Sequence, residues 1–188
     1  MSRCRSETVF RETVELINGF KRYFQRYGEP VDENPSPGNK AGGITTLAEK
    51  SLGCIQKGGS AVIEDVLRYG QPVRRRGLSL LQAPGNDLVA SGALAASGAQ
   101  LVLFTTGRGT PFGCPVPTVK LSSNTPLYEK KNRWIDFDAG QLLHGVSRET
   151  LTDTLYRYVL ALASGELRAK SEALDKHSLA IFKDGVTL

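Results

Sequence analysis

Residues 83–124 read APGNDLVASGALAASGAQLVLFTTGRGTPFGCPVPTVKLSSN, and the order of signals in them decides the fold. An apolar strand, Leu78 to Leu81, runs into a Pro-Gly turn. Asn86 or Asp87 then caps a helix of small residues that ends near Gly98. A second apolar strand, Leu101 to Thr105, empties into the glycine-rich loop Gly107-Arg108-Gly109-Thr110-Pro111-Phe112-Gly113. This order predicts a β-α-β unit with its glycines, its arginine and its helix amino terminus at the carboxyl ends of strands. Open α/β sheets hold anionic ligands at that edge.

Outward from this stretch, strands and helices continue to alternate. Pro117 to Leu121 and Trp134 to Phe137 read as strands, with a short helix from Thr125 to Lys131 between them. Ser147 caps a longer helix whose Leu151, Leu155, Tyr158, Val159 and Leu162 share a face, and Gly165 stops it. Towards the amino terminus, Phe10, Val14, Ile17, Phe20, Phe24 and Tyr27 recur at helical spacing, so an amphipathic helix is expected from about Glu7 to Tyr27. Its apolar face needs a partner in this chain or beyond it. Glu29 to Gly43 is loop chemistry, read as an ordered loop because prolines fix the backbone there. Thr46 and Glu49 form a capping box for a helix from Leu47 to about Leu52, with Gly53 as its stop. Ala61 to Tyr69 is apolar, and periodicity does not decide between helix and strand. The tail Leu179 to Phe182 is apolar and Lys183-Asp184-Gly185 turns it. The expected fold class is α/β: a Rossmann-like, mostly parallel sheet flanked by helices, a variant doubly wound three-layer arrangement. One domain is expected over residues 1–188, with residues 1–33 a helix and loop leading in.

A chain of 188 residues can bury a substantial core. No run of about 20 apolar residues exists, and MSRCRSETVF lacks a signal-peptide core, so neither a membrane partner nor secretion is expected. Cys4, Cys54 and Cys114 are too widely spaced for a zinc site or a disulfide frame, and a cytoplasmic setting is the simplest. The net charge of +5 is modest, and its densest runs, Arg74-Arg75-Arg76 and Lys130-Lys131, are short and poor in aromatics. They read as solvated surface rather than a nucleic-acid face. A positive balance also suits a small anionic substrate.

The loop Gly107 to Gly113 reads as a cradle in which backbone N–H groups and Arg108 grip a carboxylate or phosphate. The alternative is a turn that only reverses the chain. Pro111 and Pro115 interrupt any dinucleotide fingerprint and no G-K-[ST] follows, so no nucleotide cofactor is expected. Asn86 and Asp87 serve as a helix cap, as ligand or metal contacts, or as both. Asp136 and Asp138 flank Phe137, and strand alternation puts them on one face. Paired carboxylates repel unless a cation joins them, and a divalent metal is one resolution. One surface and one turn aspartate is the other. Lys57 and Lys120 read as solvated or edge residues, or, beside a metal and an anion, as proton acceptors of lowered pKa. His144 and His177 carry no metal-ligand spacing.

Several blocks then add up to a resemblance. Asn34-Pro35-Ser36-Pro37-Gly38-Asn39, GGITTLAEKSLGCIQKGG (residues 42–59), APGND, FTTGRGTPFG, PTVK, WIDFDAG and IFKDGVTL, in this order, resemble the carboxyl-terminal region of altronate and galactarate dehydratases. The resemblance runs from about Asn34 to Leu188. It implies a Rossmann-like domain of a hydro-lyase that removes water from sugar acids, most simply D-altronate to 2-keto-3-deoxy-D-gluconate, with galactarate as the alternative substrate. A further alternative is a non-catalytic carboxyl-terminal module, inactive alone. The resemblance implies a divalent metal, iron(II), with manganese(II) as the alternative. Carried over are Lys57, Lys120 and Arg108 as catalytic groups, and Asn39, Asn86, Gly107, Gly109 and Thr110 as substrate contacts. Asp87, Asp136 and Asp138 are carried over as metal ligands. The relatives are longer, so the expected partners are a sugar-acid substrate, amino-terminal and middle domains of the same polypeptide, and a second copy in a full-length homodimer. Met1 is then an artificial start.

Overall fold

The computed structural model describes residues 2–30 and 35–185. The part of the Glu29–Gly43 loop at 31–34 and the last three residues of IFKDGVTL lie outside the described residues. Contacts group the chain into two compact units. The first comprises residues 1–68, 73–82 and 183–188, and the second residues 69–72 and 83–182.

In the first unit, α1 (Glu7–Arg26) is capped by Ser6, whose hydroxyl accepts from the Val9 amide. Its aromatic residues stack along one side, Phe20 against Phe24 and Tyr23 against Tyr27, at ring separations of 5.1 and 5.2 Å. The Tyr23 hydroxyl bonds both backbone groups of Gly185, and Arg26 chelates Asp184 at 2.7 and 2.8 Å, so the turn Lys183–Gly185 is fastened to α1. α2 (Pro37–Ala41) is followed by α3 (Leu47–Lys57), where the expected Thr46–Glu49 capping box is present. Hydrogen bonds from Thr45 and Thr46 hold the Glu49 carboxyl below its ordinary pKa. Gly53 does not stop α3. An interior glycine costs only about 1 kcal/mol, so the helix continues until Gly58 caps it. Ala61–Tyr69 resolves as strand β1 (Ile63–Leu67), paired in parallel with β2 (Leu78–Leu81). Ile17 on α1 and Leu52 and Ile55 on α3 remain 54, 56 and 63% exposed. The apolar face of α1 is thus only partly covered among the described residues.

Asp65 of β1 is buried, and Arg74 takes both its carboxylate oxygens, at 2.8 and 3.1 Å. This fork is the main reason its carboxyl titrates below the ordinary value. A depressed folded-state pKa contributes stability that is complete above the unfolded value, near 3.9, and is lost as pH falls through the folded one. Arg74→Ala is therefore expected to lower the urea midpoint at pH 7 and to shrink the loss of stability between pH 4 and pH 2.

The second unit is built on a three-stranded parallel sheet. Its order is β3 (Val102–Thr106), β4 (Thr118–Ser122), β5 (Phe137–Asp138). Val119, Leu121 and Phe137 pack with Leu151 and Ala169 into its core, joined by Leu155, Tyr158 and Leu162. Leu151 to Leu162 are the expected apolar face of α6 (Arg148–Ala163), whose amino end Ser147 caps and beyond which Gly165 turns at φ +80°. α4 (Asp87–Ala96) precedes β3 and α5 (Thr125–Lys130) follows β4. A 3-10 turn (Ala139–His144) and the short α7 (Lys170–Ala173) complete the unit.

The α/β class, the parallel pairing and the flanking helices agree with the sequence reading. The β-α-β unit does not. β2 and β3 lie in different sheets, because β2 pairs with the apolar strand before it and β3 with the one after it. Apolar runs identify strands without identifying their neighbours. β5 also starts later than Trp134. The amides of Trp134 and Ile135 both return to the Lys131 carbonyl, so that stretch is a turn before it is a strand.

Candidate functional site

The three parallel strands of the second unit end together. One register row joins Thr106, Ser122 and Asp138 at their carboxyl ends. The glycine loop leaves β3 at this rim, Ser123-Asn124 leaves β4, and Ala139-Gly140 leaves β5.

The loop is held by its backbone. The Thr106 hydroxyl accepts from the amides of Arg108 (3.3 Å) and Gly109 (2.8 Å). The Gly107 carbonyl accepts from Asn124 Nδ2 at 3.3 Å, and the Arg108 carbonyl from Lys131 Nζ at 3.0 Å. Gly109 has φ +78°, and a Cβ there would meet Leu127 and Lys131 at 3.2 and 3.1 Å, so both conformation and space require glycine. Farther along, Lys120 Nζ donates to the carbonyls of Thr110 (3.1 Å) and Phe112 (2.8 Å). Phe112 also packs edge-on against Phe104, with ring centroids 5.1 Å apart. The amides of Arg108 and Gly109 are thus engaged by Thr106. What the loop presents outward is the exposed Arg108 side chain, which makes no hydrogen bond or ion pair with the described residues.

Asn124 joins loop and strand. Besides holding Gly107 it caps α5, accepting from the Leu127 amide at 2.9 Å. The next residue, Thr125, donates to Asp138 Oδ2 at 2.8 Å, while Asp138 Oδ1 accepts from the Gly140 amide at 2.9 Å. A Cβ on Gly140 would fall on the backbone of Asn124 and Thr125, so the β4 and β5 ends touch directly. Asn124→Ala is expected to destabilise the chain by about 1–2 kcal/mol, from the lost cap and the freed carbonyl, measurable as a lower urea midpoint.

Asp138 therefore shares a rim with Arg108. Asp136 sits two residues earlier and inward, 8% exposed. Its Oδ2 accepts from the Lys120 amide (2.8 Å), and its Oδ1 from the Lys170 amide (2.7 Å) and the Tyr158 hydroxyl (3.3 Å). Burial first, then the Asp136 charge, pushes the Tyr158 phenol up. Lys120 has no exposed surface. Burial lowers its pKa, the Asp136 carboxylate works against that shift, and Lys176 adds to it.

The other sequence-chosen residues fall elsewhere. Asn86 caps α4 by accepting from the amides of Leu88 and Val89, and Asp87 is exposed in its first turn. Asn39, in the first unit, accepts from Ser36 and from Lys50 Nζ (3.0 Å), and Lys57 is exposed at the end of α3. Among the described residues no three His, Cys, Asp or Glu side chains gather where they could hold a metal. The oxygens of Asp136 and Asp138 accept from N–H and O–H donors. Thr106, Asn124, Thr125 and Lys131 escaped the sequence reading. Ser122-Ser123-Asn124-Thr125-Pro126, a cap signature directly after a strand, was the available signal for two of them.

Comparison with known proteins supplies the rest. No helix among the described residues is long and apolar enough to cross a membrane. The chain is 57% identical over 189 residues to an altronate dehydratase of Bacillus subtilis (strain 168) and 54% identical over 188 residues to one of Escherichia coli (strain K12). Both matches cover 100% of this chain and 38% of the relative. A galactarate dehydratase (L-threo-forming) of Escherichia coli (strain K12) is 36% identical over 188 residues, covering 96% of this chain and 35% of the relative. The chain thus spans well under half the length of these relatives. The model of the family described as D-galactarate/altronate dehydratase, C-terminal, matches residues 1–187, so the likeness begins at the first helix and not at Asn34. The chain belongs to that family.

Proposed function

We propose that this chain is the carboxyl-terminal part of a hydro-lyase acting on a sugar acid, D-altronate before galactarate, and that the rim of the three-stranded sheet holds a substrate carboxylate. The observation that carries the proposal is the Arg108 side chain. It is exposed on a loop fastened at Gly107, Arg108, Gly109, Thr110 and Phe112 by other residues, so its guanidinium is presented on a fixed backbone. A planar fork on a rigid support suits bidentate pairing with a carboxylate. Altronate is preferred because the identities to the two altronate dehydratases exceed the identity to the galactarate dehydratase.

The reaction removes the α-proton and expels the β-hydroxyl as water, and the resulting enol tautomerises to a 2-keto-3-deoxy acid. Holding the carboxylate beside a cation favours the negative charge that develops as the proton leaves. Lys120 already donates to the carbonyls of Thr110 and Phe112, which supports a positioning role for it at the loop rather than that of proton acceptor, and Lys57 belongs to the first unit. A divalent ion, iron(II) or manganese(II), belongs to the proposal for the complete enzyme. A cytoplasmic homodimer belongs to the same proposal. A second reading, a module inactive alone, is supported by the 38% share of the relatives' length.

The test is formation of 2-keto-3-deoxy acid from D-altronate and from galactarate by the enzyme that carries this chain. Faster turnover of altronate is expected. No keto acid from either substrate overturns the proposal. Turnover by the 188-residue chain alone would remove the second reading.

A further inference from the structure

The Lys130-Lys131 run reads as solvated surface in the sequence, but the fold gives it other company. The end of α5 and the turn after it wall an open pocket of about 580 Å³ together with the end of α7. Lys130, Lys131, Arg133 and Lys176 line it, with Trp134 and Leu174 as its apolar surface and no acidic residue among the lining groups. Lys131 Nζ sits 5.1 Å from the Trp134 ring centroid while bonded to the Arg108 carbonyl, so one of the four cations is fixed in place. No hydrogen bond or ion pair with the described residues occupies the charged ends of Lys130, Arg133 and Lys176. Four like charges around one concavity repel one another, and they raise the local concentration of anions. A large aromatic wall adds apolar contact that a plain basic surface lacks.

We infer that this pocket is a binding site for a small dianion, a dicarboxylate or a phosphate, held between Lys130, Arg133 and Lys176 against the Trp134 indole. The inference does not rest on the hydro-lyase reading, because its readout is binding.

Trp134 is the chain's single tryptophan and lines the pocket, so its emission reports on ligands bound there. The chain is titrated separately with galactarate, with inorganic phosphate, and with sodium chloride at matched ionic strength. A saturable change with galactarate or phosphate and none with chloride is expected, and the stronger of the two identifies the anion as carboxylate or phosphate. The double variant Arg133→Ala/Lys176→Ala should raise the half-saturating concentration by at least about tenfold with an unchanged circular dichroism spectrum. Arg108→Ala should titrate like the parent chain. A change that follows ionic strength alone, a double variant that titrates like the parent, or a signal lost in Arg108→Ala overturns the inference. The last of these would put the anion at the rim. If the double variant fails to fold, Lys176→Gln alone is read in the same way, with a shift of at least about threefold expected.

Discussion

Replacing Asp136 with alanine is expected to lower the unfolding free energy by about 3–5 kcal/mol. The carboxylate is nearly buried and accepts from the amides of Lys120 and Lys170 and from the Tyr158 hydroxyl, at 2.8, 2.7 and 3.3 Å. It therefore ties β4, α6 and the start of α7 together at one point. Alanine removes the shared acceptor and leaves two amides and a phenol to find others, each at a cost of about 1–3 kcal/mol where water cannot reach. For a chain of this size the melting temperature should fall by roughly 6–20 °C. Asp136→Asn keeps one acceptor oxygen and should fall between. A loss below about 1 kcal/mol for the alanine variant would mean that these three bonds do not hold the second unit together.

Arg108→Ala is expected to act in the opposite way, with little effect on stability and a large one on turnover. The loop uses the arginine's backbone, its amide on Thr106 and its carbonyl on Lys131, so truncating the side chain leaves those anchors in place. In the enzyme that carries this chain, kcat/KM for D-altronate should fall by about 30- to 1000-fold, corresponding to roughly 2–4 kcal/mol for a lost charge-paired carboxylate contact. Arg108→Lys should recover only part of it, because an ammonium keeps the charge and loses the two-pronged geometry. Equal kcat/KM for the parent and Arg108→Ala would remove the loop from substrate binding.

What the sequence shows and hides follows from the range of each signal. Local signals read well. Thr46, Asn86 and Ser147 all cap the helices that follow them, since a cap is decided within three residues. The glycine loop and its place after a strand were likewise legible, because only glycine satisfies a position such as Gly109. Pairing was not. Leu78–Leu81 looks the same whether its neighbour precedes or follows it, and it joined β1. Polar partnerships were hidden for the same reason. Asp136 and Asp138 are only two residues apart, yet one meets Lys120, Tyr158 and Lys170 and the other Thr125 and Gly140. Lys120 interrupts an apolar strand as an edge residue would, but its stem carries the ammonium to two carbonyls of the glycine loop. Lys176, far along the chain, turned a short basic run into a pocket.

The most direct measurement is a crystal structure of the chain soaked with D-altronate. A carboxylate is expected at the rim after β3, with its oxygens about 2.7–2.9 Å from the Arg108 guanidinium and near Asn124. A sugar acid bound elsewhere in the second unit, with the Arg108 guanidinium making no contact to it, would rule out the rim as the carboxylate site.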